Sequence, residues 1–248
     1  MKEILFYLII FVSNVIQGIT GFAGTILAMP FGIMLVGYDV AKPVLNVLGL
    51  AAGLYVLGTH GKYVNRREFG RIITLMGGGI LAGIFLKSLF AGKEALLYKL
   101  LGVLIIGMSI RGYQRMGKQE DEAECIVSNT GRKLKSGIVL AGAGVVHGMF
   151  VCGGPLLIGY LSSVIKGKVS FRATISTVWV VLNTVILADD IRLGLWTPGL
   201  LRIQVIALPF LAAGMVLGAK LYQTMSQQVF MKLTYILLFI SGASLFLK

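Results

Sequence analysis

Residues Ile4 to Gly37 form one apolar stretch with no charged side chain. As a single straight helix it would reach roughly 50 Å, whereas the hydrocarbon core of a bilayer is about 30 Å thick. A membrane chain must tilt such a stretch strongly or break it. Within Asn14–Pro30, NVIQGITGFAGTILAMP, stand Gly18, Gly21 and Gly24, with Pro30 closing the motif. Glycine permits unwinding, and sharp helix kinks concentrate at glycine and proline, so the break is expected here.

The same plan recurs in the second half. The block Ser136–Ile165 is again long, and its middle, Gly144–Tyr160, reads GVVHGMFVCGGPLLIGY. A shift of 130 positions places Gln17 on His147, Gly18 on Gly148, Gly24 on Gly154, Gly37 on Gly167, Lys42 on Arg172 and Asn46 on Ser176. Glycine matches are cheap in a chain with 33 glycines. The shared block order and the basic residue after each long block weigh more, and they predict an internal repeat.

Hydrophobic residues make up 56% of the chain and charged ones 13%, against about 25% charged in soluble domains. The apolar runs extend over its whole length, so the expected fold is all-α, polytopic and embedded in a bilayer, with a bacterial-type cytoplasmic membrane as its location. The net charge is +13, but the basic residues are scattered over short loops, and no nucleic-acid partner is expected. Cys125 and Cys152 supply neither a disulfide framework nor a metal-ligand pattern. HExxH, Walker and nucleophile-elbow motifs are all missing. The expectation is a protein that is not an enzyme and needs no metal or cofactor. The opening MKEILFYLIIFVSNV lacks an A-x-A-like cleavage site, so it reads as a retained span rather than a signal peptide.

Each half holds four apolar blocks: Ile4–Gly37, Pro43–Thr59, Ile72–Phe90 and Leu96–Ile110, then Ser136–Ile165, Ala173–Ala188, Leu200–Tyr222 and Val229–Leu247. Residues 1–112 are read as the first repeat, 113–135 as a polar cytoplasmic linker and 136–248 as the second repeat. The acidic cluster Glu120, Asp121, Glu122 and Glu124 is expected to face solvent. Two topologies stay open. If each long block crosses once there are eight spans, and lysine plus arginine divide 14 to 9. If each long block is a broken hairpin, the halves are inverted and the division is 15 to 8. Either puts His60–Arg71 and Arg111–Lys135 in the cytoplasm. They differ over the termini and Lys166–Arg172.

An unwound helix in mid-membrane frees backbone N–H and C=O groups, which survive only where they are buried or line a cavity. The half-helix after each break would aim its partly positive N-terminus at that cavity. Those starts fall near Gly24–Thr25 and near Gly153–Gly154–Pro155, where proline suits a first helical turn. Two such ends meeting near the midplane suit an anion; the competing reading is close packing of small residues.

QGITGFAG…P and HGMFVCGGP…Y resemble the paired glycine-rich signatures of the sulfite exporter TauE/SafE family of membrane permeases. The resemblance covers nearly the whole chain. It implies secondary or facilitated transport, probable export in direction, of a small anion such as sulfite, a sulfonate or a carboxylate. Two departures stand out: Gly21-Phe22-Ala23-Gly24-Thr25 keeps fewer glycines than the family's frequent run of three, and Val151 and Cys152 stand where small residues or glycine are common.

The candidate substrate-binding residues are Gln17, Gly21, Gly24, Thr25, Lys42, Asn46, His147, Gly153, Gly154, Pro155, Arg172, Ser176 and Asn183. Lys42 and Arg172 could pair with an anion or be snorkelling interface residues. Gln17 and His147, just before the breaks, suit hydrogen bonding to substrate or between helices, ahead of a proton relay through the histidine. Asn46, Ser176 and Asn183 could line the cavity or pack. Asp189 and Asp190 are expected at a membrane edge, and Cys152 as a packing residue. Small-residue faces make a homodimer plausible. The rival functions are a membrane enzyme or redox relay, and a non-transporting structural membrane protein.

Overall fold

The computed structural model describes residues 2–20, 24–89, 94–116, 129–165 and 167–222, with residues 232, 235–236, 239–240 and 242–243. Among these are nine α-helices: α1 (Lys2–Thr20), α2 (Gly24–Val36), α3 (Tyr38–His60), α4 (Arg66–Leu89), α5 (Glu94–Met116), α6 (Asn129–Phe150), α7 (Gly154–Val164), α8 (Lys168–Arg192) and α9 (Pro198–Tyr222). Four are long and apolar enough to cross a membrane, within α3, α4, α8 and α9. Their large outward apolar side chains, such as Tyr55, Phe85, Val185 and Val205, are exposed, as lipid contact requires.

Each glycine-broken block folds back on itself. A Cβ on Gly24 would lie 2.2 Å from Gln17 Oε1, and one on Gly32 2.9 Å from Phe6 Cε2. Positions advancing on α2 therefore meet positions receding on α1, so the two are antiparallel. In the second half, Gly153 at the start of α7 meets His147 and Ala143 of α6, while Tyr160 further along α7 shares Arg71 with Ser136 near the base of α6. At 13 and 11 residues, α2 and α7 are about 20 and 17 Å long, too short to cross a 30 Å core. The broken-hairpin arrangement is thus the one adopted.

The hairpin tips reach the middle of the long helices. Gly49, midway along α3, lies beside Thr25 at the start of α2. His147, near the tip of α6, bonds Asn183 and packs on Trp179, midway along α8.

The halves are joined by a central seam in which α3 and α8 run antiparallel. Lys42 meets Asp190, Asn46 meets Asn183, and Gly53 meets Ser176 and Val180. Under the 130-position overlay, 183 corresponds to 53 and 176 to 46, so the contact Asn46–Asn183 and the contact Gly53–Ser176 are images of each other.

The outer pairs repeat the pattern. Gly79 and Gly83 of α4 lie against Gly144 and Val145 of α6, and Gly214 and Gly218 of α9 lie against Asn14, Val15 and Gly18 of α1. In each pair the contact numbers rise together, so the helices are parallel, with small residues four apart bringing backbones into contact. The chain therefore has two ends. One carries the 61–65 turn, the start of α6 and the α7–α8 connection, and is rich in Lys and Arg. The opposite end carries the α2–α3 and α8–α9 connections.

One expectation changes. The polar GYDVAK is not a loop: only Gly37, at φ 85°, separates α2 from α3, so Lys42 already sits inside a helix. Asp189 and Asp190 stand in the last turn of α8, and both are buried there. Helix α5 runs to Met116 and α6 begins at Asn129; the acidic cluster and Cys125 lie outside the described residues.

Candidate site at the meeting of the two hairpins

Helix α6 ends at Phe150, and Val151 N–H donates to His147 O at 2.8 Å with φ at 56°. This is the left-handed stop that usually falls to glycine; for a β-branched residue it costs roughly 1–2 kcal/mol. In the repeat overlay Val151 falls on Gly21. Tyr38, opening α3, donates its hydroxyl to Met149 O, which satisfies a carbonyl left over at the helix end. Beyond the break, Gly153 approaches Ala143 O so closely that a Cβ would sit 2.3 Å away. Helix α7 then starts at Gly154 with Pro155 in its first turn and no side-chain cap.

Hydrogen bonds orient the side chains gathered there. Asn46 Nδ2 donates to Asn183 O at 3.0 Å, and Asn183 Nδ2 faces Asn46 O at 3.5 Å. Because both partners are carbonyls, both amide nitrogens are placed. Asn183 Oδ1 must then accept from His147 Nε2, 2.8 Å away, which puts the ring hydrogen on Nε2 in the neutral imidazole. Trp179 packs on the imidazole at 4.7 Å between ring centroids. Two buried atoms, Asn46 Oδ1 and His147 Nδ1, have no hydrogen-bond partner among the described residues. Thr25 Oγ1 and Asn183 Nδ2 both lie within 4 Å of where a Cβ on Gly49 would stand, so the start of α2 borders the same cluster.

Of the residues singled out from sequence, Thr25, Asn46, His147 and Asn183 come together, with Gly153 beside His147 and Gly154 and Pro155 opening α7. Gln17, half-buried, packs on Gly24. Ser176 is buried, with its carbonyl against Gly53. Lys42 is wholly buried on Asp190 at 2.6 Å, whereas Arg172 is exposed on the first turns of α8. Their matched positions in the repeat do not give them matched surroundings. Gly21 lies outside the described residues. Cys152 is buried and unpaired, and among the described residues no cluster of His, Cys, Asp and Glu could hold a metal.

Sequence reasoning missed Asp190, Trp179 and Tyr38. A carboxylate closing an otherwise apolar helix was a signal for Asp190, but its partner is 148 positions away. A second polar group at the basic end was also unforeseen. Tyr160 donates to Glu68 Oε2 at 2.6 Å and accepts from Arg71 Nη1 at 2.9 Å, while Arg71 Nη2 donates to Ser136 at 2.7 Å. It ties α4 to both arms of the second hairpin.

A search of curated proteins and a search of solved structures each return no match. The family model for sulfite exporter TauE/SafE, by contrast, matches residues 6–245. That span takes in both hairpins and the α3–α8 seam, so the chain belongs to the sulfite exporter TauE/SafE family and is a multi-pass membrane transporter, not an enzyme.

Proposed function

We propose that the protein moves a small oxyanion across the membrane, binding it between the two hairpin tips, with Asn46, His147 and Asn183 on one side and the starts of α2 and α7 on the other. The observation that carries this reading is the pair of buried, unpartnered atoms Asn46 Oδ1 and His147 Nδ1. Leaving a polar group buried and unsatisfied costs about 1–3 kcal/mol; two together, beside the start of α2 and the α7 start that has no side-chain cap, favour a place that a ligand completes. Both atoms are acceptors, so the ligand brings its own hydrogen. Hydrogen sulfite and hydroxycarboxylates meet that requirement, and a simple sulfonate does not. Its negative charge is met by backbone N–H groups and helix dipoles.

The two-fold relation between inverted halves suits alternating access by rocking of one half against the other. With the basic end cytoplasmic, lysine and arginine divide 15 to 8 in favour of that side. The test is saturable uptake of labelled sulfite by proteoliposomes. Asn183→Ala removes the hinge of the cluster and is expected to lower uptake at sub-saturating sulfite by at least about tenfold, the equivalent of one charge-assisted hydrogen bond. Uptake that matched wild type in this variant would end the reading of the site. Wild-type protein that moved neither sulfite nor a hydroxycarboxylate would end the substrate assignment.

A further inference from the structure

We infer that Trp179 is a positioning residue for the proposed site: its indole holds the His147 imidazole with Nδ1 presented to the ligand, and so sets the preference for anions that carry their own hydrogen. This rests on the oxyanion reading above. The backbone of His147 is fixed, because its carbonyl accepts from Val151 N–H at 2.8 Å and Gly153 closes on its Cβ. The ring is not fixed by its hydrogen bond alone. The torsion that turns an imidazole is broad and roughly two-fold. The observed orientation gives Nε2–H to Asn183 Oδ1 at 2.8 Å but leaves Nδ1 buried with no partner among the described residues. The net gain from one hydrogen bond is no larger than the penalty for one orphaned buried acceptor. A further contact must therefore select this orientation.

Trp179 supplies it. Its ring centroid lies 4.7 Å from that of the imidazole, with the planes 32° apart, and a flat aromatic face restricts how a second ring against it can turn. Trp179 and Asn183 stand four residues apart on α8, so they share a face, and both grips on the imidazole come from one helix. The repeat points the same way. The images of His147 and Trp179 in the first half are Gln17 and Gly49. There Gln17 packs against Gly24, and Gly49 lies beside Asn183 and Thr25. Imidazole and indole are present together in one half and replaced together in the other. Asn46, by contrast, is oriented without Trp179, since its Nδ2 donates to Asn183 O at 3.0 Å.

A ring held in this way reads the ligand by one hydrogen. A hydroxyl on the anion donates to His147 Nδ1. An anion of the same charge without the hydroxyl leaves that nitrogen unpaired. With the indole removed, the ring is free to turn a carbon edge towards the ligand, and the advantage of the hydroxyl shrinks to what Asn46 Oδ1 supplies. Trp179 thus acts on selectivity more than on capture, because the charge of the anion is met by backbone N–H groups and helix dipoles.

The experiment measures how glycolate and acetate, which carry the same charge and differ by one hydroxyl, inhibit labelled sulfite uptake by full-length protein in proteoliposomes at one near-neutral pH. The ratio of their half-inhibition concentrations does not depend on how much of the protein is folded. Wild type is expected to favour glycolate at least about tenfold, since a site built to bond a hydroxyl rejects the analogue without it. Trp179→Leu, which fills space without a flat face, is expected to lower that ratio at least about threefold, and Trp179→Phe to retain it. An unchanged ratio in Trp179→Leu overturns the proposal, and so does a Trp179→Phe protein that loses as much as Trp179→Leu. Should Trp179→Leu fail to fold, Trp196→Phe leaves Trp179 as the one tryptophan of the chain. Its fluorescence is expected to change saturably with glycolate, half-maximally at the concentration that half-inhibits uptake, and to respond to acetate only at concentrations about tenfold higher. Emission indifferent to glycolate overturns the proposal. Equal inhibition by the two anions in wild type marks failure of the oxyanion reading on which the proposal rests, and the proposal falls with it.

Discussion

The run Gly77-Gly78-Gly79 on α4 offers a controlled test of how the halves are held together. A Cβ on Gly79 would sit 2.3 Å from Ala141 O and 3.0 Å from Gly144 Cα, whereas at Gly77 and Gly78 nothing lies within 4 Å. Ordinary carbon–oxygen contact is about 3.3 Å, so Gly79→Ala must push α4 and α6 apart by about 1 Å. A radial gap of that size forfeits about a quarter to a half of each contact's attraction, and individual contacts contribute about 0.1–0.2 kcal/mol. If the shifted face holds about as many contacts as one buried leucine makes, the loss is about 2 kcal/mol, within the usual range for overpacking. Gly78→Ala meets no obstacle and gains up to about 1 kcal/mol of helix propensity. The two neighbouring substitutions should therefore differ by about 3 kcal/mol. Near-ultraviolet circular dichroism of detergent-solubilised protein during denaturation measures the difference. Equal midpoints for the two variants would refute the parallel, backbone-close packing of α4 on α6.

Gly214→Ala on α9, whose Cβ would meet Phe11 O at 2.7 Å, should destabilise in the same assay, by less than Gly79→Ala. Tyr160→Phe removes one hydrogen bond from each of Glu68 and Arg71 at the basic end and should cost about 1–3 kcal/mol; an unchanged midpoint would show that the Tyr160 hydroxyl contributes nothing. Gly49→Val crowds Asn183 Nδ2, which lies 3.0 Å from the would-be Cβ, and should weaken sulfite uptake several-fold more than it lowers the denaturation midpoint; parallel losses in both would place Gly49 in packing alone. Accessibility labelling of single cysteines at the N-terminus and at position 63 should report opposite sides of the membrane, because the hairpin places the start of α1 at the end opposite the 61–65 turn; labelling from one side would contradict the inverted arrangement.

The sequence by itself determined that the chain is all-helical and membrane-embedded, and it pointed to the two breaks. An apolar block of this length cannot cross once untilted, and glycine at Gly21–Gly24 and Gly153–Gly154 is where a helix can stop and restart at least cost. It also drew attention to Thr25, Asn46, His147 and Asn183, because polar residues in apolar surroundings need partners. Only the tertiary structure decided that the breaks are hairpins, because fold-back depends on α2 finding α1 and not on α2's own composition. Only it separated Lys42 from Arg172. Their places in the repeat are equivalent, yet α8 presents a carboxylate to one, and the other faces outward. A linear pattern records which residues are alike; which of them is buried, and against what, depends on contacts between positions more than a hundred residues apart.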